Sequence, residues 1–149
     1  MAQPDTARYR LRKFAAQMRM AGASYVEIAA AGGGIRSTVT ATRGASEQEL
    51  LISAEERLHS LLSEGVTTVE IKSGYGLDRE TELRMLRVAR RLGETQPVSV
   101  TATYLGGHTV PAEFASAPND YVDLVVEVTA EVGRGRFADA ADFCFDPIG

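Results

Sequence analysis

The sequence predicts an α/β fold with a parallel sheet. Two segments rich in β-branched residues, 66–72 and 98–105, each run into a polar or glycine-rich loop and are followed by helical patterns. Two successive strand-loop-helix-strand units favour parallel strands joined by crossover helices. With 149 residues, 44% of them hydrophobic and 24% charged, the chain is expected to form a single domain around one core.

The first third of the chain predicts two helices and a loop. Residues 1–6 have the character of a disordered lead, and apolar residues recur at helical spacing over residues 7–21. A capping-box pattern at residues 24–27 begins a short helix that ends at three glycines, residues 32–34. Residues 35–42 are mostly polar and predict a loop or a short extended piece.

The middle of the chain predicts two helices, one on each side of the first strand. A capping box at Ser46 and Glu49 begins the first helix, which carries leucines along one face and ends at Gly65. Asp78 caps the second helix, which is expected to end before Gly93.

The last third predicts the second strand, a third helix at residues 119–132 and a third strand at residues 138–145. The third strand ends at Asp146, which would emerge at the same edge of the sheet as the loops of the first two strands. An aspartate before a proline is also ordinary turn chemistry, so Asp146 alone is a weak signal.

The candidate site lies in the two loops that follow the first two strands. Loops at the carboxyl ends of parallel strands face a common mouth, so Ser73, Tyr75 and His108 are expected to converge. His108, between glycines and a threonine, can donate, accept or shuttle a proton. Tyr75 can present its hydroxyl to a ligand, or its ring can close the top of a small core.

Other polar residues have structural readings of at least equal weight. Glu70 and Lys72 alternate with apolar residues on the first strand, so a structural ion pair is as reasonable as a catalytic role. His59 lies on a predicted helix away from its leucine face and is expected to be solvated.

Composition argues against several classes of function. A net charge of −4 with interspersed acidic and basic residues gives no basic stripe, so we expect no nucleic-acid partner. The apolar runs are far shorter than the roughly 20 residues of a membrane helix. A lone cysteine, Cys144, and the lack of a signal-peptide pattern favour the cytoplasm. Neither a phosphate loop nor a dinucleotide fingerprint is present.

Several long motifs, in order, resemble imidazolonepropionase, a hydrolase family of the amidohydrolase superfamily. They are Ala21-Gly-Ala-Ser-Tyr-Val-Glu-Ile28, Gly32-Gly-Gly-Ile-Arg-Ser-Thr-Val39, Ala41-Thr-Arg-Gly-Ala-Ser46, Gly65-Val-Thr-Thr-Val-Glu-Ile-Lys-Ser-Gly-Tyr-Gly-Leu77 and Leu105-Gly-Gly-His-Thr-Val-Pro-Ala-Glu-Phe114. The resemblance implies that residues 1–149 are one segment of a metal-dependent (β/α)₈ TIM barrel. A complete barrel takes about 250 residues, so a fragment with about three strands is expected.

The resemblance also implies an activity and a set of site residues. The family hydrolyses 4-imidazolone-5-propanoate to N-formimidoyl-L-glutamate in histidine degradation, with zinc or iron activating water. The family's metal ligands have no counterparts in this chain, which therefore contributes none. The substrate-binding residues that carry over are Tyr75, His108 and, counted back from the basic residue at position 19, Arg12.

Two other readings fit the strand and helix pattern. A non-catalytic α/β module would bind a small acid or associate with itself through the open edges of its sheet, and those edges also predict a homo-oligomer. A flavodoxin-like domain fits the element order but gives no account of the Ser-Gly-Tyr-Gly and Gly-Gly-His segments.

Overall fold

A computed structural model describes Met20, Gly22 and residues 35–144 of the chain. The chain divides into two compact units, with the boundary between Gly44 and Ala45. The predicted disordered lead, most of the first predicted helix and the glycine-terminated helix after it lie outside the described residues.

The first unit contains helix α1, Ile35–Gly44. The prediction of a polar loop or extended piece at residues 35–42 is therefore wrong. Threonines lower helix propensity because their β-branched side chains are restricted, and they favour caps and turns. Here Thr40 Oγ1 donates a hydrogen bond to the Arg36 carbonyl at 3.0 Å, so this hydroxyl finds its partner within the helix itself.

The second unit contains an alternation of helices and strands. In chain order these are α2 (Glu47–Ser63), β1 (Thr68–Lys72), α3 (Arg79–Thr95), β2 (Ser99–Gly107), a 3₁₀ turn (Ala112–Phe114), α4 (Pro118–Gly135) and β3 (Ala140–Phe143). Within residues 45–144 the three strands form one sheet in the order β1-β2-β3, and both neighbouring pairs are parallel. The predicted α/β class with three parallel strands and crossover helices is confirmed.

The caps that start α2 and α3 were visible in the sequence and are present in the structure. Ser46 Oγ accepts a hydrogen bond from the Glu49 amide, and the Glu49 carboxylate accepts one from the Ser46 amide at 2.8 Å. Asp78 accepts from the Thr81 amide at 2.8 Å. These bonds satisfy amide groups that the first turn of a helix leaves without partners.

The end of α3 differs from its prediction. The helix continues through Gly93 to Thr95, because Gly93 serves close packing instead of termination. A Cβ atom at this position would lie 3.1 Å from Val100 Cβ, so the missing side chain lets α3 approach β2. Gly65, by contrast, follows the end of α2 as predicted, with a φ angle of 88°.

Helices α2 and α3 cover one face of the sheet. Val69, Ile71 and Val100 from the strands pack against the buried residues of this core, which are Leu50, Leu51, Leu58, Val88, Leu92 and Val98. Because side chains alternate across a strand, Glu70 and Lys72 point to the opposite face. The sheet therefore has an apolar face under the helices and a polar face opposite them.

Helix α4 lies beside α3. The guanidinium of Arg79 on α3 donates two hydrogen bonds to the Glu131 carboxylate on α4, at 2.7 and 2.8 Å. Beyond the far end of α4, Arg90 on α3 pairs with Asp139, the residue before β3. Asp139 also accepts a 2.8 Å hydrogen bond from the Ala102 amide on β2. Of the helices within residues 35–144, none is both long enough and apolar enough to cross a membrane.

Candidate functional site

The loops that follow β1 and β2 lie side by side at the carboxyl ends of these strands. Lys72, the last residue of β1, is in register with Thr103 on β2. The rings of Tyr75 and His108 meet above this edge with centroids 5.1 Å apart and an interplanar angle of 86°. This is an edge-to-face aromatic contact, and both side chains are half-buried. The prediction that the two residues converge is confirmed.

The hydrogen bond that His108 makes sets its tautomer. Its Nδ1 lies 2.8 Å from the carbonyl oxygen of Gly74. Because a carbonyl can only accept, Nδ1 carries the proton and donates it. Nε2 makes no hydrogen bond within residues 35–144, so in the neutral ring it offers a lone pair and in the charged ring a proton.

The loop between β1 and α3, residues 73–78, is called the Tyr75 loop. A buried carboxylate on α3 accepts hydrogen bonds from its backbone. Glu82, on the first turns of α3, is 2% exposed. One of its oxygens accepts from the Gly74 amide at 2.7 Å, and the other accepts from Gly76 and Leu77 at 2.8 and 2.9 Å. Three amide donors thus replace the water that a buried carboxylate would otherwise need.

The same carboxylate affects a neighbouring tyrosine. Tyr104, on β2, is 1% exposed, and its burial, helped by the negative charge of Glu82, raises the pKa of its hydroxyl. The phenol therefore stays neutral over the physiological range. Its ring lies against Gly106, where an added Cβ atom would meet the Tyr104 hydroxyl.

Two further residues make hydrogen bonds to the backbone of β2 near its carboxyl end. Ser73 is buried, its amide donates to the Thr103 carbonyl at 3.0 Å, and its hydroxyl accepts from the Leu105 amide at 3.1 Å. Tyr121, on α4, donates its hydroxyl to the Gly106 carbonyl at 2.6 Å. Ser73 lies beside the converging pair as predicted, but its polar atoms serve the backbone of β2.

Sequence reasoning missed both Glu82 and Tyr121. The available signal was their position on amphipathic helices. Glu82 directly precedes the apolar stripe of α3, and Tyr121 shares the buried face of α4 with Val125. A polar group on a buried helix face requires a hydrogen-bond partner, and the nearest backbone is that of the loops.

The polar face of the sheet carries a chain of charged side chains. The Lys72 ammonium lies 2.6 Å from the Asp142 carboxylate of β3 and 3.5 Å from that of Glu70. Thr103 Oγ1 donates to Glu70 at 2.7 Å. The hydrogen bond to Asp142 raises the pKa of Lys72, and the same bond lowers the pKa of Asp142. The sequence allowed either a structural ion pair or a catalytic role for Glu70 and Lys72, and the ion pair is present in the structure.

His59, the other histidine of the sequence, has a polar partner of its own. His59 is exposed on α2, and its Nε2 lies 3.3 Å from the side-chain oxygen of Gln96. Arg12 and Asp146 lie outside the described residues. Cys144, the residue after β3, is exposed as a free thiol.

A metal centre needs three or four protein ligands held together. Within the described part of the chain, no three His, Cys, Asp or Glu side chains form such a group. Residues 35–144 therefore do not fit the zinc or iron that the resemblance implies.

The fold and its loops define a class of protein: an α/β segment of parallel strands whose carboxyl-end loops bring polar side chains together. No protein-family model matches the chain. Curated proteins do, and among them are the imidazolonepropionases of Yersinia pestis (strain Pestoides F) and Yersinia pseudotuberculosis serotype O:1b, each 57% identical over 130 residues.

These matches cover 86% of this chain and 32% of each relative. The chain thus spans about a third of the length of the curated relatives it matches. Because so little of the chain is left unmatched, its middle, with Tyr75 and His108, lies inside the matched stretch. The chain is related to imidazolonepropionase over this stretch, and the resemblance seen in the sequence motifs is confirmed.

Proposed function

We propose that this chain forms part of the substrate site of an imidazolonepropionase. The reaction is the hydrolytic ring opening of 4-imidazolone-5-propanoate to N-formimidoyl-L-glutamate in histidine degradation. The observation that carries the proposal is the 57% identity with the Yersinia enzymes. A non-catalytic binding module is less favoured, because it does not account for this identity.

Tyr75 and His108 are the proposed contacts to the imidazolone ring. Nε2 of His108 can accept a hydrogen bond from the ring amide in the neutral imidazole, or donate one to the ring carbonyl in the charged imidazole. The hydroxyl of Tyr75 can donate or accept. The bond from Nδ1 to Gly74 supports this role, because it fixes the imidazole plane and leaves Nε2 for a ligand. Arg12 is proposed to hold the propanoate, because a guanidinium matches a carboxylate in a two-bond fork.

We propose that the sheet is one arc of a (β/α)₈ barrel. Two features support this: the strands follow one another in chain order, and helices α2 and α3 lie on the same face of the sheet. In such barrels the face away from the helices turns inward and the loops at the carboxyl ends of the strands form the active site. Glu70, Lys72 and Asp142 would then line the interior.

We propose that residues other than 35–144 bind the metal of the complete site. Zinc or iron is expected from the family resemblance, but residues 35–144 do not fit it and are assigned no metal-binding role. The contribution that we assign to the described residues is binding and orientation of the substrate.

We also propose a cytoplasmic location and self-association. The lone cysteine suits a reducing compartment. Strands β1 and β3 are the outer strands of the sheet in the described residues, and unpaired strand edges favour association. Sedimentation velocity over a range of protein concentrations tests the second point, and a monomer at every concentration would refute it.

The activity is tested with freshly generated 4-imidazolone-5-propanoate. Its loss is followed with the purified 149-residue chain, with zinc or iron added and in a metal-free control. Binding is measured in parallel by calorimetry. The variants are His108→Ala and Tyr75→Phe, with His59→Ala as the matched control because His59 is an exposed histidine on α2.

We expect His108→Ala to weaken binding by roughly tenfold to a hundredfold, since one hydrogen bond to a polar substrate contributes about 1–3 kcal/mol. Tyr75→Phe is expected to lose less, and His59→Ala nothing. Folded wild-type chain that neither binds nor converts the substrate would refute the proposal for this chain. Equal losses in the His108 and His59 variants would refute the assigned contact.

A further inference from the structure

We propose that Glu82 is the positioning residue of this site, holding the Tyr75 loop so that Tyr75 and His108 keep their edge-to-face contact. The inference rests on the proposed function for the meaning of the site, and on the geometry of the loop for its mechanism. Glu82 contacts neither ring nitrogen of His108 and is not proposed to contact substrate.

The first step is the connection from Glu82 to the loop. One carboxylate oxygen accepts a hydrogen bond from the Gly74 amide, which precedes Tyr75. The other oxygen accepts from the Gly76 and Leu77 amides, which follow Tyr75. The backbone on both sides of Tyr75 is therefore fixed to a single rigid group. A carboxylate is suited to this task because both of its oxygens accept.

The second step is the connection from the loop to His108. The Gly74 amide is held by Glu82, and the carbonyl of the same residue accepts from His108 Nδ1. A shift of Gly74 would therefore move the acceptor that sets the tautomer of the imidazole. The Tyr75 ring, one residue later, would move with it and open the contact to His108.

The third step is the close packing of Gly74 against β2. A Cβ atom there would lie 2.5 Å from the Leu105 carbonyl oxygen, so the loop already touches β2. The position of the loop is thus fixed by β2 on one side and Glu82 on the other. Loss of the carboxylate removes one of these two constraints and leaves the other.

The test is Glu82→Gln, with Glu80→Gln as the matched control. Glutamine keeps the size of the side chain but has one accepting oxygen and one donating nitrogen, so it cannot accept on both sides of Tyr75. Glu80 lies on the same turn of α3, is largely exposed and pairs with Arg84. Both variants remove one carboxylate, but only Glu82 accepts hydrogen bonds from the Tyr75 loop.

Three readouts on isotope-labelled protein report position directly. They are the ¹⁵N shifts of the His108 ring, which give its tautomer, the nuclear Overhauser contacts between Tyr75 and His108, and the hydrogen exchange of the Gly74, Gly76 and Leu77 amides. In Glu82→Gln we expect loss of the single Nδ1–H tautomer and of the ring contacts, and exchange faster by on the order of tenfold at one or more of the three amides. Glu80→Gln is expected to match wild type in all three.

Substrate binding supplies the functional readout. Glu82→Gln is expected to weaken binding of 4-imidazolone-5-propanoate by about tenfold while its circular dichroism stays that of the wild type. If wild type does not bind, the proposed function fails, and the three spectroscopic readouts still decide the role of Glu82.

Unchanged tautomer, ring contacts and exchange in a folded Glu82→Gln would overturn the inference. Should that variant not fold, the wild-type chain decides. Slow hydrogen exchange of the Gly74, Gly76 and Leu77 amides together with the Nδ1–H tautomer of His108 would support the positioning role of Glu82. Rapid exchange or an Nε2–H tautomer would overturn it.

Discussion

Gly74 sits at the point where the Tyr75 loop leaves β1, and two constraints meet there. Its φ angle is 92°, a conformation that side chains with a Cβ rarely adopt, and the Leu105 carbonyl occupies the space a Cβ would need. We expect Gly74→Ala to lower the free energy of unfolding by about 2–4 kcal/mol, from backbone strain plus the clash.

Gly65→Ala is the matched control, measured by urea denaturation alongside Gly74→Ala. Gly65 has a similar φ angle of 88°, but nothing lies within 4 Å of its Cβ position. Its substitution should cost only the strain, about 1–2 kcal/mol. Equal losses in the two variants would mean that the contact with Leu105 contributes nothing to the fit of the loop.

The start of α2 shows what a local capping pattern contributes to one element. Ser46 and Glu49 exchange hydrogen bonds between side chains and amides, and these bonds lower the pKa of Glu49. We expect Ser46→Ala to reduce the free energy of unfolding by about 1 kcal/mol. Ser60→Ala, an exposed position within the same helix, is the control and should change stability little. A loss as large at Ser60 would show that the cap is not the cause.

Local signals such as this cap explain why some elements could be predicted and others could not. The first turns of α2 and α3 carry their own hydrogen-bond partners, so Ser46 and Asp78 marked them correctly. Helix α1 has no such cap in its sequence, and the mostly polar residues 35–42 predicted a loop or a short extended piece. The prediction that α3 ends before Gly93 is wrong because a sequence does not distinguish a glycine that ends a helix from one that lets a strand approach.

The candidate site also has a part that the sequence predicts and a part that it does not. The meeting of Tyr75 and His108 follows from parallel strands alone, since the loops after neighbouring strands share one edge of the sheet. The parts played by Glu82 and Tyr121 depend on how far each helix lies from the loops, which periodicity does not state. Sequence thus indicated where the polar side chains meet and missed what holds them there.

At the scale of the whole sheet, Lys72 reaches from β1 over β2 to Asp142 on β3 and so links strands that are not neighbours. Asp142 has a lowered pKa in the fold, so its contribution is complete above its unfolded pKa of about 4 and is lost as the pH falls through the folded value. Lys72 has a raised pKa, so its contribution is complete below about 10.4 and is lost as the pH rises through the folded value.

A double-mutant cycle with Lys72→Met and Asp142→Asn, measured by urea denaturation, tests this link. We expect a favourable coupling near pH 7, because the ion pair is present between the two limits, and a smaller coupling near pH 3, which is below the unfolded pKa of Asp142. About 1 M salt should also reduce it, since both side chains are more than a third exposed to solvent. A cycle of Lys72→Met with Asp120→Asn, a carboxylate on α4, should give no coupling. A Lys72–Asp142 coupling unchanged by acid and by salt would mean that packing of the side chains, and not their charges, joins the outer strands.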